Sequence, residues 1–102
     1  MYRTPLQPNS SLRLLKTSPK LHHSARVMLE LAARQPGKPL SLQEAARLAG
    51  VTTRQGIEDV RALYRESERL GVVSFFGWDT DRNTGEVSFK MTPEAAAMWA
   101  RV

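Results

Sequence analysis

The spacing of apolar residues changes at Gly71, and this change limits the folds that the chain can adopt. Before Gly71, apolar residues recur every three to four positions, which is typical of amphipathic helices. After it, residues 72–78 and 86–91 are rich in β-branched and aromatic side chains and read as two strands. The sequence therefore predicts a mostly helical α+β fold, in which a strand pair follows the main helices.

Capping residues, prolines and glycines predict four helices, over residues 18–35, 41–49, 53–70 and 93–102. The second and third begin with capping-box patterns, in which Ser or Thr is followed three residues later by Glu or Gln. The third helix shows an apolar stripe that we expect to face the core. Its residues are Ile57, Val60, Leu63, Tyr64, Ser67 and Leu70.

The 102 residues suit one domain, preceded by a segment of different composition. Residues 1–17 contain two prolines and several small polar residues, which predicts a flexible arm. This arm is basic, and Arg13 and Lys16 are among its cations. The expected organisation is thus an arm over residues 1–17, a domain over residues 18–92 and a C-terminal helix over residues 93–102.

Positive charge is concentrated in the first forty residues, which hold seven basic side chains and one acidic side chain, a balance of +6. The whole chain has a formal net charge of +5. A basic surface of this kind favours a polyanionic partner such as nucleic acid. The sequence has no cysteine and no apolar run long enough to span a membrane, so disulfides, thiolate metal sites and membrane partners are not expected.

The segment GWDTDRNTG, residues 77–85, joins the two predicted strands and raises the question of a calcium loop. Asp79, Asp81 and Asn83 occupy alternate positions, as the first ligands of such a loop do. However, the required glycine comes one place late, and Lys90 stands where the final carboxylate ligand would be. Turn-forming residues between strands predict a hairpin tip instead, with no metal or other cofactor.

The order of helix, short strand, helix, turn, helix, hairpin and C-terminal helix resembles the winged helix-turn-helix family. The resemblance covers residues 18–92 and rests on SLQEAARLAGVTTRQGIEDVRALYRESERLG, residues 41–71, followed by the hairpin. It implies a three-helix core with a β-hairpin wing and a C-terminal helix. It also implies that helix 53–70 enters the major groove of DNA and that wing 78–86 touches the backbone or minor groove.

The residues expected to contact DNA lie on the third helix, at the wing tip and near the N-terminus. Arginine and glutamine near a helix start can donate to base edges, and each good bidentate pair is worth roughly 1–3 kcal/mol of discrimination. The candidates are Thr53, Arg54, Gln55, Glu58, Arg61, Arg65, Arg82, Arg13, Lys16 and Lys20. Arginines and glutamates at this spacing also form self-paired, solvated helix surfaces, so the helix alone leaves both interpretations open.

The resemblance and the basic first forty residues together favour a small transcriptional regulator, such as a repressor, that binds double-stranded DNA sequence-specifically. We expect it in the cytoplasm, associated with the nucleoid when it is bound to DNA. Two alternatives stay open: a winged-helix domain of a plasmid or phage replication initiator, and a winged-helix module that binds a protein instead of DNA. No enzymatic activity is expected, because no nucleophile–base pair is recognisable and the adjacent His22 and His23 diverge on a helix.

The C-terminal helix is a candidate for self-association. Met98, Trp99 and Val102 lie on this helix, outside the core that the sequence predicts. The resemblance implies dimerisation, since small winged-helix regulators commonly dimerise through terminal helices. We therefore expect a homodimer in which these three residues face a second subunit or a neighbouring domain.

Overall fold

The computed structural model describes residues 8–102 and has a mostly helical α+β fold. Five α-helices and one three-stranded antiparallel sheet make up this part of the chain. In order they are α1 (Pro8–Lys16), α2 (His23–Arg34), β1 (Leu40–Ser41), α3 (Leu42–Leu48), α4 (Thr53–Arg69), β2 (Phe76–Thr80), β3 (Val87–Met91) and α5 (Pro93–Trp99). The predicted fold class, α+β and mostly helical, is confirmed at this level.

The sheet has the strand order β1-β3-β2, so the short strand before α3 completes the hairpin. Phe76 pairs with Met91 at the base of the hairpin, and Leu40 of β1 lies opposite Phe89. All four of these side chains are buried in the core. The predicted hairpin is confirmed, although its first strand begins at Phe76 because residues Val73–Phe75 form a 3-10 turn.

Hydrogen bonds within the loop itself hold the hairpin tip. Asp81 Oδ1 accepts the backbone N–H groups of Asn83 at 2.7 Å and Thr84 at 3.2 Å. Gly85 has a φ of 73°, in the left-handed region that favours glycine, and its N–H donates to the Asp81 carbonyl at 2.8 Å. The polar residues of this loop therefore serve the turn, as the hairpin interpretation predicts.

Helices α3 and α4 begin where the capping patterns predict. The Ser41 hydroxyl accepts the N–H of Glu44 at 3.2 Å, and the Thr52 hydroxyl accepts the N–H of Gln55 at 3.1 Å. Each contact satisfies one of the N–H groups that the first turn of a helix leaves without an internal partner.

A close approach between α3 and α4 positions α4 in the fold. A Cβ added to Gly56 would lie 3.0 Å from Ala46 Cβ and 3.1 Å from Leu42 Cδ1. These distances are tighter than ordinary van der Waals contact, so a larger residue would push the two helices apart. Glycine at this position therefore determines how near α4 lies to α3.

The prediction of a flexible arm is wrong for residues 8–16, which form α1. Leu12 and Leu15 are completely buried in the core, whereas Leu14 between them is 46% exposed. Burial of two leucines provides the stabilisation that a nine-residue helix lacks in isolation. The remainder of the predicted arm, residues 1–7, lies outside the described residues.

Helix α2, which the sequence predicts over residues 18–35, begins later than predicted, at His23. The Ser18 hydroxyl, at the predicted start, accepts the N–H of Lys20 at 3.2 Å and donates to Glu66 Oε2 at 2.6 Å, but residues 18–21 form a turn and not the first turn of the helix. His22 provides the cap of α2, because its Nδ1 accepts the N–H of Ser24 at 3.3 Å. The predicted start at residue 18 is therefore a turn that precedes α2, and the helix itself begins after the His22 cap.

The C-terminal helix packs into the core, which corrects the expectation that Trp99 lies outside it. Trp99 is only 3% exposed, and its Nε1 donates to Glu30 Oε1 at 3.0 Å. Lys16 Nζ lies 4.9 Å from the centroid of the Trp99 ring and donates to the Val102 carbonyl at 3.1 Å. Met98 and Val102 are partly buried against the same core. The expected homodimer, and the expected roles of Met98 and Val102 in it, stay predictions.

Candidate nucleic-acid interface

Two buried carboxylates set the orientation of α4. Asp59 and Glu66 lie about two turns apart on its inner face. The Ser24 hydroxyl of α2 donates to Asp59 Oδ2, and the Ser18 hydroxyl donates to Glu66 Oε2. Because a buried carboxylate requires hydrogen-bond donors, these contacts determine which side of α4 faces inward.

The apolar stripe predicted for α4 is consequently wrong at two positions. Ile57 is 37% exposed and Tyr64 is 43% exposed, whereas Gly56 and Leu63 are buried. Leu63 and Ser67 of the stripe are buried and Val60 and Leu70 are partly buried, so the inward face is displaced toward Asp59 and Glu66 by less than the rotation of about 100° that separates neighbouring residues. The outer side of α4 is therefore partly apolar.

Three arginines predicted to contact DNA lie on the outer side of α4. Arg54, Arg61 and Arg65 are exposed and recur at helical spacing. The Arg54 and Arg65 side chains make no hydrogen bond or ion pair with any residue in 8–102. Arg61 Nη1 lies 3.7 Å from Glu58 Oε1, but both side chains are exposed, and such pairs contribute only about 0.2–1 kcal/mol. All three guanidinium groups therefore remain available to an anion.

The first turn of α4 holds two further residues predicted to contact DNA, Thr53 and Gln55. Gln55 Nε2 donates to Asp59 Oδ1 at 2.9 Å, so this amide is used within the protein. Its expected role at a base edge stays a prediction and would compete with this hydrogen bond, because the buried Asp59 carboxylate needs the donor. Thr53 is exposed at the start of the helix, and its predicted contact with DNA stays a prediction.

The hairpin formed by β2 and β3 lies beside residues 53–65 of α4. One groove of about 430 Å³ separates them. Its lining residues are Val60, Arg61, Tyr64, Arg65, Trp78, Asp79, Thr80 and Val87. Nearer the hairpin tip, Thr53 and Ile57 share a second cleft with residues 84–87. The tip therefore flanks the start of α4, and the exposed Arg82 at this tip has no partner within the described chain.

The basic residues predicted in the N-terminal segment have different surroundings. Arg13 is exposed on α1. Lys16 lies against the Trp99 ring and donates to the Val102 carbonyl, so its predicted phosphate contact stays a prediction that would compete with these internal contacts. Lys20 is exposed and lines a cleft with Arg65 on α4. Only Lys20 of these three is thus shown to adjoin the arginines of α4.

Glu66 has the most strongly shifted pKa among these side chains. Arg69 donates to it from Nε at 2.7 Å and from Nη2 at 3.0 Å, and Ser18 adds a third hydrogen bond. The Arg69 hydrogen bonds, with support from Ser18 and against the effect of burial, lower the pKa of Glu66 from 4.5 to about 2. Glu66 is therefore ionised at neutral pH and anchors the C-terminal half of α4.

The Glu66→Gln variant is expected to be less stable than the wild type at pH 7, by roughly 1–3 kcal/mol. The folded pKa lies below the unfolded one, so the stabilisation is complete above about pH 4.5 and is lost as pH falls toward 2. Urea unfolding between pH 7 and pH 2.5 should show the difference between the two proteins shrinking over this window. Glu68→Gln, an exposed neighbour, is the control; a pH-independent difference for Glu66→Gln would contradict the assignment.

No protein-family model, curated protein or solved structure matches the chain, so function is argued from the site itself. Within residues 8–102, no helix has the length and apolar character that crossing a membrane requires. The same residues bring no three acidic or histidine side chains together in a way that could hold a metal ion. The distinctive chemical feature of this surface is the row of exposed arginines on α4, beside the hairpin.

Proposed function

We propose that the chain is a winged-helix protein that binds double-stranded DNA sequence-specifically and acts as a transcriptional regulator. In this proposal α4 enters the major groove, and the hairpin tip around Arg82 touches the backbone or minor groove. The observation that carries it is the exposed row of Arg54, Arg61 and Arg65 on a helix whose start is flanked by the hairpin tip. A major groove admits one α-helix, and arginine can donate two hydrogen bonds to guanine O6 and N7.

The arrangement of α3 and α4 supports the proposal. Gly50 has a φ of 73° in the turn that joins them, and Gly56 allows their close approach. In a helix-turn-helix pair, the first helix crosses the DNA backbone while the second helix contacts base edges with residues of its N-terminal part. Arg54 lies in the first turn of α4, where a side chain of the second helix reaches the bases.

The charges available at the surface predict a salt-dependent affinity. Arg54, Arg65 and Arg82 have no partner within residues 8–102 and can each neutralise a phosphate or donate to a base. Three such contacts would give a slope of about −3 for the logarithm of affinity against the logarithm of salt concentration. A titration of a mixed-sequence duplex, followed by fluorescence anisotropy at several salt concentrations, measures this slope.

The Arg54→Ala variant is expected to weaken binding to a selected duplex by about 1–3 kcal/mol and to relax sequence preference at one position. The duplex would first be selected from a random library with the wild-type protein. Arg101→Ala is the matched control, because it removes one positive charge from an exposed residue beyond α5. An equal loss for both variants would indicate a general charge effect and contradict base reading by α4.

The proposal would be overturned if the protein, shown to be folded by circular dichroism, bound no duplex at low salt.

A replication-initiator domain would use the same face of α4 and would differ in selecting sequences from a replication origin. Library selection followed by comparison with plasmid or phage origins separates these two roles.

A protein-binding module is the second candidate, and one observation favours it. Ile57 and Tyr64 are exposed on the outer side of α4, whereas contacts with phosphates and base edges are mostly polar. Trp99 is buried and is therefore not exposed to anchor such a partner. Tyr64→Ala should leave binding to mixed-sequence DNA nearly unchanged if α4 uses its arginines, and should abolish partner binding if Tyr64 is an anchor.

A further inference from the structure

We propose that the groove between α4 and the hairpin is a binding site for a small, planar aromatic anion such as an aromatic carboxylate. This groove adjoins the row of arginines, but its walls are mainly apolar and aromatic. Its volume of about 430 Å³ lies within the range of roughly 300–1,000 Å³ that small-molecule sites occupy.

The walls of the groove are aromatic and aliphatic. The rings of Tyr64 and Trp78 meet edge to face, with centroids 5.6 Å apart, and Val60 and Val87 complete the apolar lining. Trp78 is in turn stacked on Phe89, which is buried in the core, so this wall is supported from behind. A flat ring placed against these side chains would bury apolar area on both partners, which is the main source of affinity in such sites.

The charged side chains that line the groove favour binding of an anion over a cation. Arg61 and Arg65 line it, against the single carboxylate of Asp79. Arg65 has no partner within the described chain, and the exposed pair of Arg61 with Glu58 is weak. A guanidinium group can donate two parallel hydrogen bonds to a carboxylate, and this geometry favours a carboxylate at the edge of the aromatic ring.

The orientation of α4 explains why the groove is open. Tyr64 would lie in the core if α4 followed its apolar stripe, but the buried carboxylates turn it outward. Tyr64 and Trp78 add little to phosphate contacts, whereas Arg61 and Arg65 belong both to the groove and to the row of arginines on α4. A ligand that occupies Arg61 and Arg65 would also compete with DNA, a consequence that rests on the proposed function.

The experiment uses 2-naphthoate as the probe and the indole N–H signals in a ¹⁵N NMR spectrum of the DNA-free protein. The chain has two tryptophans. Trp78 lines the groove and its buried Nε1 has no hydrogen-bond partner within residues 8–102, whereas the Trp99 Nε1 is bonded to Glu30 and serves as an internal reference. We expect a saturable shift of the Trp78 signal with the Trp99 signal unmoved. The neutral 2-naphthamide should bind about tenfold more weakly, because it cannot form the charge-assisted pair.

Two arginine variants provide the matched comparison. Arg65→Gln should weaken 2-naphthoate binding about tenfold, whereas Arg54→Gln, which removes an equally unpaired arginine outside the groove, should leave it unchanged. The absence of a saturable Trp78 shift, equal binding of the cationic 2-naphthylmethylammonium, or equal losses in the two variants would each overturn the proposal. Because no DNA is present, these outcomes do not depend on whether α4 binds DNA.

Discussion

Replacing Leu12 by alanine is expected to lower the free energy of unfolding by about 2–5 kcal/mol. Leu12 is completely buried, and it lies on α1 together with the equally buried Leu15. The substitution removes apolar area from the core and leaves a cavity that its neighbours fill only in part. A loss of this size is a large fraction of the stability of a small domain, so the variant should unfold at a much lower urea concentration.

Leu14→Ala is the matched control for this experiment. Leu14 lies in the same helix and is 46% exposed, so its replacement should change the free energy of unfolding by no more than about 0.5 kcal/mol. The measurement is urea unfolding at pH 7 for wild type and both variants. Small and similar effects of the two substitutions would mean that α1 is an undocked arm after all.

Replacing Trp99 by alanine should lower the free energy of unfolding by about 3–5 kcal/mol. The indole is 3% exposed, donates to Glu30 and lies beneath the ammonium group of Lys16. The variant loses the packing of a large ring together with a hydrogen bond and a cation–π contact. Thermal and urea unfolding would measure the effect.

Trp99→Phe is the graded control, since it keeps an aromatic ring in the core and removes the indole N–H that donates to Glu30. We expect it to lose less stability than Trp99→Ala. Sedimentation measured beside the unfolding should show the same oligomeric state for the wild type and Trp99→Phe. A dimeric wild type that Trp99→Phe converted to a stable monomer would restore the interface first expected for this residue.

The candidate site was only partly predictable from the sequence. The exposure of Arg54, Arg61 and Arg65 follows from placing charged residues on the outer side of a helix, and the structure agrees. The role of Gln55 could not be predicted in this way, because its amide binds Asp59 and Asp59 is buried only through contact with α2. Acidic residues about two turns apart, at the edge of an apolar stripe, were the one sequence signal for this arrangement.

The sequence by itself determined the features that depend on neighbouring residues. The starts of α3 and α4 follow from Ser41 and Thr52, whose hydroxyls accept N–H groups three residues later. The hairpin tip follows from Asp81 and Gly85 in the same way, because the bonds that shape it lie within the loop. Local hydrogen bonds and backbone preferences act regardless of the remaining chain, which is why these elements were predicted.

Only the tertiary structure decided which surfaces became buried. Ser18 and Glu66 are far apart in sequence, and their hydrogen bond satisfies the Glu66 carboxylate on the buried side of α4. Leu12 and Trp99 entered the core because α1 and α5 pack together at the two ends of the chain. Burial of a carboxylate depends on hydrogen-bond partners that only the folded chain brings near, since the penalty for burying a polar group alone is large. Burial of a large ring likewise depends on neighbours that only the folded chain brings near. The exposed Tyr64 and the groove beside it are consequences of those distant contacts.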